Sequence, residues 1–383
     1  MSIAESQDGG QPQHSGVGRT GILPCQAIFA LWRDGEITAT QPLADGQIQP
    51  SSLDLRLGEV AYRVRASFLP GPGQNMAQKI DQYTMHSVDL TRGAVLERGC
   101  VYIVPLLERL SLSQRLSAIA NPKSSTGRLD VFTRLITDGA SEFDRIDAGY
   151  HGPLYAEIAP RTFSILARTG TRLNQMRLRR GEHRLTDSEL TRLHQQSPLV
   201  HSEVGTENIS EGIALTVDLQ GAGDNGLIGY NARPHAPLID MEKINHYDPV
   251  DFWEPIYSGT GTESGLVLNP DDFYILASRE AVSVPPDHAA EMVAYDTLMG
   301  EFRVHYAGFF DPGFGWAEAG GEGTRAVLEV RSHDVPFLLE HGQTVGRLVY
   351  ERLTDSPDRI YGQDIGSNYQ KQTLALAKQF RRG

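Results

Sequence analysis

Cysteine is scarce: 383 residues contain two, Cys25 and Cys100. That is too few for a disulfide framework or a cysteine-rich metal centre, and both read as reduced packing side chains. Long apolar runs are missing too, since nothing approaches the roughly 18 residues of a membrane span. Positive charge is in deficit. With 35 Lys and Arg against 48 Asp and Glu, the net charge is -13, the opposite of a nucleic-acid footprint. The opening stretch MSIAESQDGGQPQHSGVGRTG has no apolar signal core, so residues 1–20 read as a disordered leader of a cytoplasmic protein. Twelve histidines are scattered without paired ligand spacing, and none is assigned to a metal. An acidic balance still permits an anionic ligand, because a few local cations suffice to hold one.

What is present points to short strands. The length exceeds what one core supports, which predicts two domains. Glycine (39) and proline (21) are frequent, and frequent turns favour strands over long helices. ILPCQAIFALWRDGEI (22–37) has apolar residues at helical spacing and stops at Asp34-Gly35. TDSELTRLHQQSP (186–198) opens with a helix-start signal and closes on proline. It reads as a short helix in a linker, 184–204, between a first domain at 21–183 and a second at 205–383. GAGDNG (221–226) fits a dinucleotide fingerprint by letter. The prolines that follow it supply no helix for a pyrophosphate to sit on.

Chemistry concentrates between Asn121 and Glu157. NPKSSTGR (121–128) sets two serines between Lys123 and Arg128, residue types that hold phosphate oxygens. RIDAGYHGPLYAE (145–157) then gives a glycine turn and a strand on which Glu157 is charged among apolar neighbours. A lone carboxylate there reads either as a strand-end ion pair or as a catalytic group, and the neighbouring Ser124, Arg128 and turn favour catalysis.

The second half echoes the first. SLDLRLG (52–58) is matched to TVDLQG (216–221) and IDAGYHG (146–152) to FDPGFG (310–315), with Asp54 to Asp147 and Asp218 to Asp311 both 93 positions apart. That equality requires compensating gaps between the motifs. Glu157 to Gly170 and Glu329 to Gly342 are both 13 positions, and duplication is the simplest cause. Opposite KSSTGR the second copy has YDTLMGE (295–301), without the serine pair or the arginine. The expectation is that only the first copy catalyses and that Glu329 is structural.

In order and combination these motifs resemble the dCTP deaminases of the dUTPase-like superfamily, in a long two-domain form. The resemblance covers about 22–183 in the first domain and is weaker in the second until IGSNYQKQ (365–372), which is similar to the family's nucleotide-binding tail. It implies an all-β fold, two tandem distorted barrels or jelly rolls of the dUTPase-like kind with a few short helices. It also implies a homo-oligomer, trimers being common in the superfamily, acting on dCTP or dUTP, while the charge and the lack of a long apolar run argue against nucleic-acid and membrane partners.

Carried onto this sequence, the resemblance makes Glu157 the general acid/base that activates water and passes a proton to departing ammonia. Ser124 and Arg128 would position the water and stabilise charge. Lys123, where the family has Arg, and Ser125 would contact phosphates. Asp147 would face the deoxyribose, Tyr150 would also bind the substrate, and Tyr369, Gln370 and Gln372 would close over the nucleotide. Lys371 replaces a family glycine. Mg2+ is expected on the triphosphate, and zinc is not, because His201-Ser202-Glu203 has no Pro-Cys-x-x-Cys partner. Two other readings stay open: a dUTPase-type pyrophosphatase, alone or combined with deamination, and a non-catalytic nucleotide-binding protein.

Overall fold

The computed structural model describes residues 19–200, 209–221, 226–259, 265–294, 302–304, 308–317, 322–332, 334–362 and 374–382. Strands make up 45% of it and helices 11%, so the chain is all-β. The leader expected at 1–20 falls outside the described residues up to 18.

The same two-sheet unit is built twice, largely from strands buried on both faces, such as Leu53–Arg56 and Ile213–Thr216. In the first copy, Arg172–Arg180 lies between Ser117–Pro122 and Leu53–Arg56 in one antiparallel sheet. The facing sheet runs Thr84–Asp89, Val60–Val64, Val101–Ser111, His151–Pro160, Val131–Thr137. In the second copy, Thr344–Arg352 joins Ile213–Thr216 to His288–Ala294, and Phe273–Val282 joins Leu227–Ala232 to Thr324–Ser332. The copies are in register: Glu157 opposes Ile103 and, 172 positions on, Glu329 opposes Ile275. Ile146 pairs with Ala118 as Phe310 pairs with Ala290.

One sequence match is corrected. Leu57 donates to Thr171 and accepts from Gly170, and Val217 does the same with Gln343 and Gly342. Glu108 holds the Arg56 amide as Glu280 holds that of Thr216. Arg56 therefore corresponds to Thr216, and Asp218 is not the copy of Asp54. The match slipped by four positions because both segments carry an aspartate in an apolar run, so the equal 93-residue spacing was coincidental.

The expected N-terminal helix spans Cys25–Arg33 and buries Cys25, Ile28 and Leu31. Asp187–Gln196 is a helix with a capping box between Thr186 and Glu189. It buries Leu190, and the following Leu199, in the second core, so this segment packs as part of the second domain. After Gly226 comes a strand, Leu227–Ala232, and no helix, as the prolines indicated. None of the described helices is long and apolar enough to cross a membrane.

The two copies meet along a paired seam. Ile165–Ala167 pairs in parallel with Ile239–Asp240, and Arg168 grips Asp240 with two bonds of 2.6 and 3.0 Å. Phe252, Trp253, Phe273 and Phe380 of the second half join the core that the first half begins.

Candidate active site

The loop KSSTGR emerges where strand Ser117–Pro122 ends. Its backbone closes into one helical turn, Ser124–Gly127, with Thr126 and Gly127 amides on the Lys123 carbonyl and the Arg128 amide on Ser124. That turn exposes Ser124, buries Ser125, and directs Lys123 to Asp54, which Arg172 also approaches at 3.5 Å. Arg128 reaches the Ala375 carbonyl at 3.0 Å.

These residues line one wall of a cavity of about 290 Å³, whose other wall is the second domain. Strand Thr324–Ser332 contributes Arg325, Val327 and Glu329, and the turn after Phe309–Phe310 contributes Asp311 and Phe314. Phe310 and Phe314 meet edge to face at 4.9 Å, with Tyr361 beside Phe314. Lys378 enters from the C-terminal segment. Burial and the nearby Lys123 depress its pKa, while Asp54 opposes them.

Glu329 is 5% exposed, and burial pushes its carboxyl up to about 8, with Arg128 pulling it down and Asp130 adding to the rise. A carboxyl held near neutral pH beside a guanidinium and an exposed serine can both take and return a proton. Asp311 is also raised by burial, against the pull of Arg177, a bond from Ser51 and the charge of Lys123.

The structure thus brings Lys123, Ser124, Ser125 and Arg128 together but places Glu157 elsewhere. Glu157 is buried on strand His151–Pro160 and held by Arg134 through bonds of 2.6 and 3.1 Å. Arg134 in turn stacks on Phe143, 3.4 Å from the ring centroid. Glu157 does not line the cavity. Nor do the other residues of its turn. Asp147 is 86% exposed beside Arg145, and the Tyr150 hydroxyl donates to the Pro153 carbonyl while accepting from the Asp138 amide. Tyr369, Gln370 and Gln372 lie outside the described residues.

The physical reason is what covers each copy. In the first domain the sheet face bearing Ile103, Tyr155 and Glu157 is roofed by the domain's own chain, with Phe68, Leu69, Met76, Ile80 and Tyr83 packed on it. In the second, Ile275 and Val327, the copies of Ile103 and Tyr155, pack instead in the core shared with the first domain. Glu329 consequently faces the first domain's loop. The cavity draws on both copies, with Lys123, Arg128, Arg172 and Asp54 from the first and Arg325, Lys378, Asp311 and Glu329 from the second, against the expectation that the first copy alone carries the full set. The sequence made Glu329 structural and gave Asp311 no role, although FDPGFG and the 13-residue spacing marked both positions. Arg172, Arg325 and Lys378 carried no such signal.

Comparison with known proteins finds two domain models in order along the chain. Residues 19–182 match the family model of the 2'-deoxycytidine 5'-triphosphate deaminase N-terminal domain, and 186–380 that of its C-terminal domain. A protein of Halobacterium salinarum named "dCTP deaminase, dUMP-forming" is 34% identical over 154 residues, 38% of this chain and 74% of its own. One of the same name from Pseudarthrobacter chlorophenolicus is 30% identical over 140 residues, 35% of this chain and 70% of its own. The crystal structure of 2'-deoxycytidine 5'-triphosphate deaminase from Agrobacterium tumefaciens superposes with a TM-score of 0.84 at 56% identity, covering 89% of this chain and all of that one. With both halves matched in order, the chain belongs to the 2'-deoxycytidine 5'-triphosphate deaminase family.

Proposed function

We propose that the inter-domain cavity hydrolyses the exocyclic amine of dCTP, with Glu329 as its general acid/base. The observation that carries this reading is a buried carboxyl, raised to about 8, on the same cavity as Arg128 and Ser124. Ionised Glu329 takes a proton from water as the water oxygen bonds to the amine-bearing carbon. Glu329 then gives that proton to the amine nitrogen, the carbon–nitrogen bond breaks and ammonia leaves, the proton left on the added hydroxyl ends on the adjacent ring nitrogen as the carbonyl forms, and the carboxylate is regenerated. Such a group contributes roughly 100- to 10,000-fold. Ser124 and Arg128 orient the water and offset charge at the developing tetrahedral centre. The chemistry at the base needs no zinc in this reading, the chain having no cysteine pair of the zinc-deaminase kind.

Lys123, Ser125, Arg172 and Lys378 hold the triphosphate, which arrives as its Mg2+ complex on the side of the cavity where Asp54 stands. Asp311 takes the role that the sequence assigned to Asp147, facing the sugar. Tyr369, Gln370 and Gln372 keep their assignment as closing residues, in a cytoplasmic homo-oligomer. The curated relatives, named dUMP-forming, favour a second reading in which the same site also cleaves the triphosphate.

Incubation with dCTP and Mg2+, followed by ammonia assay and nucleotide separation, tests both. Ammonia with dUTP supports deamination alone, and ammonia with dUMP and pyrophosphate the combined reaction. No ammonia sinks both and favours the nucleotide-binding alternative. Glu329→Gln is expected to abolish ammonia release, by 100-fold or more as a rough bound, while dCTP still binds. Normal turnover in that variant would overturn the assignment.

A further inference from the structure

Ser51 and Arg177 belong to the first domain, lie outside its motifs, and are fully buried. Both act on a residue of the second domain. Ser51 Oγ donates to Asp311 Oδ1 at 2.7 Å. Arg177 Nη2 donates to Ser51 Oγ at 3.3 Å and to the Phe310 carbonyl at 3.3 Å, and stands 3.6 Å from Asp311 Oδ1. Its other nitrogen, Nη1, bonds Glu351 at 2.7 Å and the Ala290 carbonyl at 3.0 Å, and the guanidinium lies 4.1 Å from the Phe309 ring centroid. The strand and turn that carry Asp311 are therefore pinned from the opposite domain.

This chain of bonds leaves one oxygen free. Asp311 Oδ1 is occupied by Ser51, whereas Oδ2 takes no hydrogen bond from the described residues, and the side chain lines the cavity. A carboxyl oxygen whose twin is held by Ser51 and which is itself left open is an acceptor for a hydroxyl donor. The arrangement occurs in one copy only. Position 349, 172 beyond Arg177, is Val349, and Asp147, the copy of Asp311, is exposed with only Arg145 beside it. A structural salt link to Glu351 alone would not need the Nη2 side of the fork or the serine relay.

We propose that Ser51 and Arg177 are positioning residues that aim the open oxygen of Asp311 at the 3'-hydroxyl of the deoxyribose, and so set the enzyme's requirement for that hydroxyl. The proposal rests on the composite-site reading given above.

The test compares kcat/KM for dCTP and for 2',3'-dideoxycytidine triphosphate. Leaving that buried acceptor unpaired implies that the native protein prefers dCTP by roughly 10- to 100-fold. Ser51→Ala, a small change, is expected to cut that preference to a few-fold by raising KM for dCTP while kcat for dCTP and kcat/KM for the dideoxy substrate hold. Arg177→Lys, which keeps the charge without the fork, is expected to fall between the two. Equal losses on both substrates would mean a structural role and overturn the proposal, as would an unchanged preference in Ser51→Ala. A native enzyme that deaminates both substrates equally well sinks only this proposal, whereas one that releases no ammonia from dCTP sinks the function as well.

Discussion

At the scale of single residues, the site turns on one displaced pKa. Glu329 is raised from 4.5 to about 8, chiefly by burial. Below that value the free enzyme holds the carboxyl protonated, and only the ionised form can take a proton from water. kcat/KM for dCTP is therefore expected to climb with pH through about 8 and then level. The same shift has a stability sign. Between about 4.5 and 8 the folded chain binds this proton and the unfolded chain does not, so stability falls as pH rises across that window. Glu329→Gln should flatten both dependences, and a pH–rate profile with urea midpoints at several pH values measures them. The sequence pointed to Ser124, Arg128 and a glutamate on an apolar strand, and the cavity holds the first two beside such a glutamate. It could not tell which of two equivalent glutamates meets the loop, because that depends on what covers each sheet face.

At the scale of elements, duplication explains both what was legible and what was not. The strands and short helices were readable because alternation, caps and glycine turns are local properties. The pairing of copies was readable where spacing is kept, as from Glu157 to Gly170 and Glu329 to Gly342, and failed where two unrelated aspartates, Asp54 and Asp218, happened to align. The roof on the first copy, including helix Met76–Tyr83 over Ile103 and Tyr155, has no motif of its own. Beneath it Glu157 is bound to Arg134. Glu157→Gln is accordingly expected to leave deamination within about two-fold of native while lowering stability by roughly 1.5–3 kcal/mol, the range for a hydrogen bond to a charged group. Steady-state rates beside a urea melt decide it, and loss of turnover in a folded variant would return catalysis to the first copy.

At the scale of the whole molecule, the proposed site requires the two copies to be one folded body. A cavity with Lys123 and Arg128 on one wall and Asp311 and Glu329 on the other demands that the walls keep register to a fraction of an ångström. The seam supplies this: Trp253 is 1% exposed and packs edge to face on Phe163 of the first domain at 5.4 Å and on Phe380 at 6.0 Å. Phe380 anchors the same C-terminal segment that delivers Lys378 to the cavity. Core, tail and site are thus joined through one indole. Truncating a buried tryptophan costs about 3–5 kcal/mol. Trp253→Ala should lower the urea midpoint in one cooperative transition seen alike by far-ultraviolet circular dichroism and by residual deaminase activity. Two separated transitions, or activity that outlasts the first of them, would show that the copies fold independently and that the register of the site has another source.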